Sequence, residues 1–64
     1  MTGDERNELE ALIDRRGLQA VLGALADICG EKAEHVRVNW QDARLARYWD
    51  GAAKRIGHAA DIIG

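Results

Sequence analysis

The chain has 64 residues, a net charge of −2 and one cysteine, and these values exclude several classes of protein. A single domain, 1–64, is the most that this length can form, and such a chain buries only about 60% of the surface its unfolded form exposes. One cysteine excludes an internal disulfide, and no Cys/His set has zinc-finger spacing. We therefore expect a homo-oligomer, a dimer first and a tetramer next.

Hydropathy gives no sign of a membrane segment. No apolar run approaches the roughly 20 residues that a membrane-spanning helix needs, and the polar start MTGDERNE lacks the apolar region of a signal peptide. We predict a cytoplasmic protein that does not contact a membrane and keeps Cys29 reduced.

A short first helix is predicted at about Asp4 to Ile13. Acidic side chains in its first turn suit the helix dipole, and its three apolar residues can dock on another helix but cannot stabilise an isolated one. The helix breaks within 14–17, where Gly17 or Asp14 can cap the next helix, although a continuous helix through 15–16 is an alternative. Candidate caps for the first helix are Thr2, Gly3 and Asp4.

The central helix is predicted from Leu18 to Val36. Apolar residues recur at helical spacing and form a stripe that spans almost half of the cylinder. A stripe this wide faces two elements, either two other helices or one helix and a partner chain.

The last helix is predicted from Trp40 to Ile63, after a connector at 37–39 in which Asn39 caps the helix through a box with Asp42. Such a short connector forces this helix antiparallel to the central one. The predicted fold is therefore all-α: an antiparallel helical hairpin of about 18–36 and 40–63 with a short N-terminal helix, completed to a four-helix bundle by dimerisation.

One acidic line on the central helix is a candidate metal site. Carboxylates at i, i+3 and i+4 spacing can hold Mg²⁺ or Mn²⁺, so one alternative is a divalent-metal-binding protein or a metal-dependent enzyme with an acidic site at a subunit interface. All-α nucleotide pyrophosphohydrolases need a second acidic pair on the next helix, but His58 and Asp61 stand at that spacing here. A solvated acidic face is the simpler interpretation. The candidate ligands are Asp27, Glu31, Glu34 and His35.

The basic side of the last helix supports a second alternative, a nucleic-acid-binding helix pair. Trp40 lies among these bases, where it is part of the helix cap, an anchor in a protein interface, or a stacking residue for nucleic acid. Acidic residues interleave with the bases and the whole chain is acidic, which argues against nucleic acid. The bases are Arg37, Arg44, Arg47, Lys54 and Arg55.

The leading functional prediction is a small non-enzymatic interaction or regulatory module that uses no cofactor. No nucleophile, base and oxyanion donor occur together in the sequence, and a chain of this length has little room for a substrate pocket. The partner is a second copy of the chain or an unidentified protein. The predicted interface residues are Leu18, Val21, Leu22, Leu25, Ile28, Trp40, Trp49 and Ile56.

Overall fold

The computed structural model describes residues 1–64 as three α-helices and one π-helical turn, without a strand. The all-α prediction is therefore confirmed. No helix is both long enough and apolar enough to cross a bilayer. The elements are α1 (Gly3–Arg16), α2 (Leu18–His35), the π turn (Val36–Trp40) and α3 (Ala43–Ile63).

Helix α1 begins with a capping box. The Thr2 hydroxyl accepts a hydrogen bond from the Glu5 backbone N–H at 3.1 Å, and the Thr2 backbone N–H donates to the Glu5 carboxylate at 3.0 Å. The backbone donor, and then the hydroxyl, hold the pKa of Glu5 below its ordinary value of 4.5. The predicted end at Ile13 is wrong by nearly a turn, because the helix continues to Arg16, where two arginines favour the negative end of the dipole.

Gly17 separates α1 from α2. Its φ of 90° and ψ of 151° lie where only glycine is comfortable, and its N–H donates to the Ile13 carbonyl at 2.7 Å. The break predicted within 14–17 therefore falls at Gly17, and the continuous-helix alternative is wrong.

The segment predicted as a connector continues α2 as a π turn from Val36 to Trp40. The Asn39 side-chain amide donates to the His35 backbone carbonyl at 3.1 Å, and its nitrogen also lies 3.1 Å from Nδ1 of the His35 ring. Asn39 therefore supports the preceding segment instead of capping the next helix, which corrects the prediction. Trp40 ends the π turn with 71% of its surface exposed.

Helix α3 begins at Ala43, three residues later than predicted. Asp42 is its N-cap, and the Asp42 carboxylate accepts from the Leu45 N–H at 3.0 Å. Gln41, with a φ of 52°, turns the chain from the π turn into the cap.

Small residues line the contact between α2 and α3, which is the most extensive helix contact in the chain. Ala33 and Ala46 are 1% and 2% exposed, and no large side chain is fully buried. Positions on both helices alternate steps of four and three residues, the spacing of a coiled-coil contact. We call these positions the small-residue seam: Leu22, Ala26, Cys29, Ala33 and Val36 of α2, and Ala46, Asp50, Ala53, Gly57 and Ala60 of α3.

Two polar contacts tie the ends of α2 and α3 together. Near the start of α2, the Gln19 side chain donates to the Ala60 carbonyl at 3.3 Å. Just beyond the end of α2, the Arg37 guanidinium donates to Asp50 at 2.6 Å. The start of α2 is thus paired with the end of α3, and the end of α2 with the first half of α3.

The molecule is a flat layer in which α1 and α3 each contact α2 but not each other. Its Cα extents are 37 × 28 × 13 Å. Its radius of gyration is 13.3 Å, whereas a compact domain of this length has about 10.7 Å. Only six of the 64 residues are buried, so the single chain has no core of large side chains between two layers.

Candidate functional site

Helix α3 carries a second apolar stripe beside the small-residue seam. Its members also alternate steps of four and three residues. Each member precedes a seam position by one residue, so the stripe lies about 100° from the seam around the helix axis. Leu45 and Ile63 are 42% and 51% exposed, and the other members are only half-buried. This α3 stripe consists of Leu45, Trp49, Ala52, Ile56, Ala59 and Ile63.

Helix α2 carries a matching stripe of larger residues. We define the α2 stripe as Leu18, Val21, Leu25 and Ile28, spaced by three, four and three residues. Val21 is buried, whereas Leu18 and Ile28 are 44% and 48% exposed.

Both stripes open to the same side of the layer. Each lies one position N-terminal to the seam on its own helix, and hydrogen bonds pair the start of α2 with the end of α3 and the residue beyond the end of α2 with the first half of α3. Reversing a right-handed helix reverses the sense in which its residues rotate, so the two one-residue offsets point to the same side. We call the two stripes together the apolar face.

Helix α1 extends the apolar face through a groove of about 290 Å³ between α1 and α2. No residue of α1 is buried, and α1 makes far fewer contacts with α2 than α3 does. Arg16 is the only polar residue in the lining. Leu9 and Leu12 form the α1 wall, and the α2 wall is formed chiefly by Val21, Leu25 and Ile28.

The opposite side of the layer is polar. Arg37 donates to Glu34 at 2.9 Å as well as to Asp50 at 2.6 Å; the Arg37 and Asp50 side chains are about half exposed, and that of Glu34 is two-thirds exposed. These ion pairs close the α2–α3 contact on the side away from the apolar face. One side of the layer therefore carries polar contacts, and the other side is apolar.

Comparison with known proteins adds no identification. No family model, curated protein or solved structure matches this chain.

The predicted interface residues do not share one environment. Leu18, Leu25 and Ile28 lie exposed on the apolar face, with Val21 buried at its base. Leu22 lies instead in the small-residue seam. Trp49 and Ile56 are half-buried members of the α3 stripe, with the Trp49 ring 5.2 Å from the Tyr48 ring in an edge-on arrangement, and Trp40 is exposed on the π turn.

Sequence reasoning missed the α1 wall of the groove and the separation of seam from stripe. The signal for the separation was present as two parallel four-and-three spacings on each helix. The position of α1 had no such signal, because it depends on the conformation of Gly17.

The candidate metal ligands do not form a cluster. No three His, Cys, Asp or Glu side chains in the chain are placed to hold a metal ion. Glu34 is paired with Arg37, and the His35 ring lies against Asn39, while Asp27 and Glu31 are exposed on α2.

The basic residues are divided between two environments. Arg37 is engaged in its two ion pairs, whereas the remaining bases are exposed on α3. Exposed bases on one helix form a charged edge of the layer, and this edge consists of Arg44, Arg47, Lys54 and Arg55.

Proposed function

We propose that this chain is a homo-oligomerising interaction module whose working unit is a dimer. In the proposed dimer, two chains place their apolar faces together and so build the two-layer core that each lacks alone. The observation that carries the proposal is the flat architecture, in which only six residues are buried and an apolar face lies open on one side. The predictions of a non-enzymatic role and a cytoplasmic location belong to this proposal.

The exposed area supports a partner of the size of a second copy. The chain exposes 5122 Å², whereas a folded monomer of 7.1 kDa exposes about 4,100 Å². The excess is about 1,000 Å², and a standard protein interface covers about 800 Å² on each partner. One further chain is therefore enough to bring the exposed area into the ordinary range.

The α2–α3 pair gives the proposed dimer its core. In the proposal these helices form an antiparallel hairpin over 18–35 and 43–63, and two hairpins make a four-helix bundle. The seam holds the two helices of each hairpin close together, while the stripes supply the large side chains between the hairpins. Burying a Leu, Ile or Val side chain stabilises the fold by about 1.5 to 3 kcal/mol. The stripes therefore supply buried apolar area that the small side chains of the seam do not.

Light scattering over a wide concentration range tests the proposal directly. We expect the mass of two chains at every concentration where the protein is folded. A chain that is folded and monomeric throughout would contradict the proposal. Repeating the measurement with Mg²⁺, with Mn²⁺ and at high salt separates the alternatives, because the proposed core is apolar and its assembly should not require a metal.

A further inference from the structure

We infer that the groove between α1 and α2 is the docking site for α3 of a second copy of the chain. This inference rests on the proposed dimer and specifies which elements of the two chains meet. The groove is a concave apolar feature and the α3 stripe is an apolar ridge, and neither is fully covered within the single chain.

Shape supports this pairing. The groove has apolar walls on α1 and α2, and its volume of about 290 Å³ lies on the same side of α2 as the α2 stripe. The α3 stripe has the four-and-three spacing with which a helix inserts its side chains into a neighbouring pair. Trp49 and Ile56 at the centre of the stripe are large enough to enter a groove that small side chains would leave unfilled.

Symmetry makes the pairing reciprocal. In a two-fold dimer, a patch that docks on a second patch of the partner receives the same contact in return. When α3 of one chain lies in the groove of its partner, the partner's α3 lies in the first chain's groove. Both unpartnered features of both chains are then covered at once, whereas an α3-to-α3 contact would leave both grooves empty.

Charge supports the same pairing. Helices α1 and α2 contain eight acidic residues and four basic ones, whereas α3 contains four basic residues and two acidic ones. Docking α3 on the α1–α2 pair therefore brings opposite net charges together, and docking α3 on α3 brings like charges together. Arg44 and Arg55 lie exposed on the outer flank of α3, and Glu8 lies exposed on α1 next to the groove residue Leu9.

Paramagnetic broadening in mixed dimers tests the inference. One chain carries Cys29→Ala and Ala24→Cys, with a nitroxide on the new cysteine in the groove. A second chain is enriched in ¹⁵N and carries no nitroxide. The two are unfolded together and refolded, so that any broadening of ¹⁵N amide signals arises from the other chain. We expect the largest loss of intensity in α3.

A reciprocal label guards against a nitroxide that blocks the groove. Tyr48→Cys places the label on an exposed position beside the α3 stripe, and its strongest effect is expected in α1 and α2. Lys54→Cys is the matched control on the polar side of α3, and it should leave those amides sharp.

The outcomes separate this inference from the dimer itself. A mass of two chains with the strongest broadening at α1 and α2 from Tyr48→Cys supports the inference, whether or not the label on Ala24→Cys blocks the groove. A mass of two chains with the strongest effect of Tyr48→Cys in the partner's α3 overturns the inference and leaves the dimer standing. A monomeric mass for the chain without labels overturns the proposed function as well.

Discussion

Gly57 of α3 lies opposite Ala26 of α2, where a Cβ atom added to the glycine would meet the Ala26 Cβ at 3.9 Å. This distance is an ordinary van der Waals contact, so the helices are close enough for a methyl group and no more. The small-residue seam is thus closely packed, although few of its side chains are large.

Gly57→Ala should therefore stabilise the protein. The added methyl group fits against Ala26, and alanine is favoured over glycine in a helix interior by about 0.5 to 1 kcal/mol. Chemical denaturation measures the change. Gly23→Ala, where nothing lies within 4 Å of the added atom, is the matched control and should show a similar gain. Gly57→Leu should destabilise, and a gain from leucine would show that the seam is not closely packed.

Leu25→Asp should abolish folding and not merely association, because the proposed dimer core is where Leu18, Leu25 and Ile28 are covered. Circular dichroism should show loss of the cooperative unfolding transition. Ile62→Asp is the control, since Ile62 is exposed and lies outside the apolar face. A stable, folded monomer of Leu25→Asp would contradict the dimer.

Asp42→Ala should lower the free energy of unfolding by about 1 kcal/mol, the usual cost of losing an N-cap. Asp42→Ser keeps an acceptor for the Leu45 N–H and should lower the free energy of unfolding by less. Asn39→Ala separates the observed cap from the one predicted by sequence, since Asn39 bonds to His35 and not to α3. Loss of α3 helicity in Asn39→Ala, with none in Asp42→Ala, would reverse this assignment.

Asp50→Asn should cost at most about 1 kcal/mol, because the bridge to Arg37 is half exposed to water. High salt should reduce the difference between the variant and the original chain, since screening weakens exposed ion pairs. Unfolding at low and high salt measures this. A cost that persists unchanged at high salt would mean that Asp50 acts through packing in the seam.

Acid should loosen the start of α1. The pKa of Glu5 is depressed in the folded chain, so the capping box stabilises above the ordinary value of 4.5 and is lost as pH falls through the lower folded value. An NMR titration of the Glu5 side chain should give a pKa below 4.5. Thr2→Ala should move the pKa of Glu5 upward by removing the hydroxyl, and Thr2→Ser should not.

The elements that depend on periodicity could be predicted from sequence. The start of α2 at Leu18 and the break beside it follow from a glycine next to a strongly periodic segment. The end of α1 was missed because two arginines extend a helix as readily as they follow one.

The π turn could not be predicted from the sequence, and the division of the wide stripe was missed although its spacing was present. The π turn depends on bonds between Asn39 and His35 that no short motif specifies. The stripe of α2 was read as one surface, although the seam positions, which include its alanines and Cys29, contact α3, while Leu18, Leu25 and Ile28 stay exposed. Alanine and leucine are equally apolar in a periodic pattern, but only the smaller one permits close helix contact.

Gly17 gives the apolar face an adjustable element. The walls of the groove belong to two helices that are joined by this single residue, so the width of the groove is governed by two backbone torsion angles. The α2–α3 contact does not include Gly17 and does not depend on those angles. A change at this one position can therefore alter the width of the groove while the α2–α3 contact keeps its geometry.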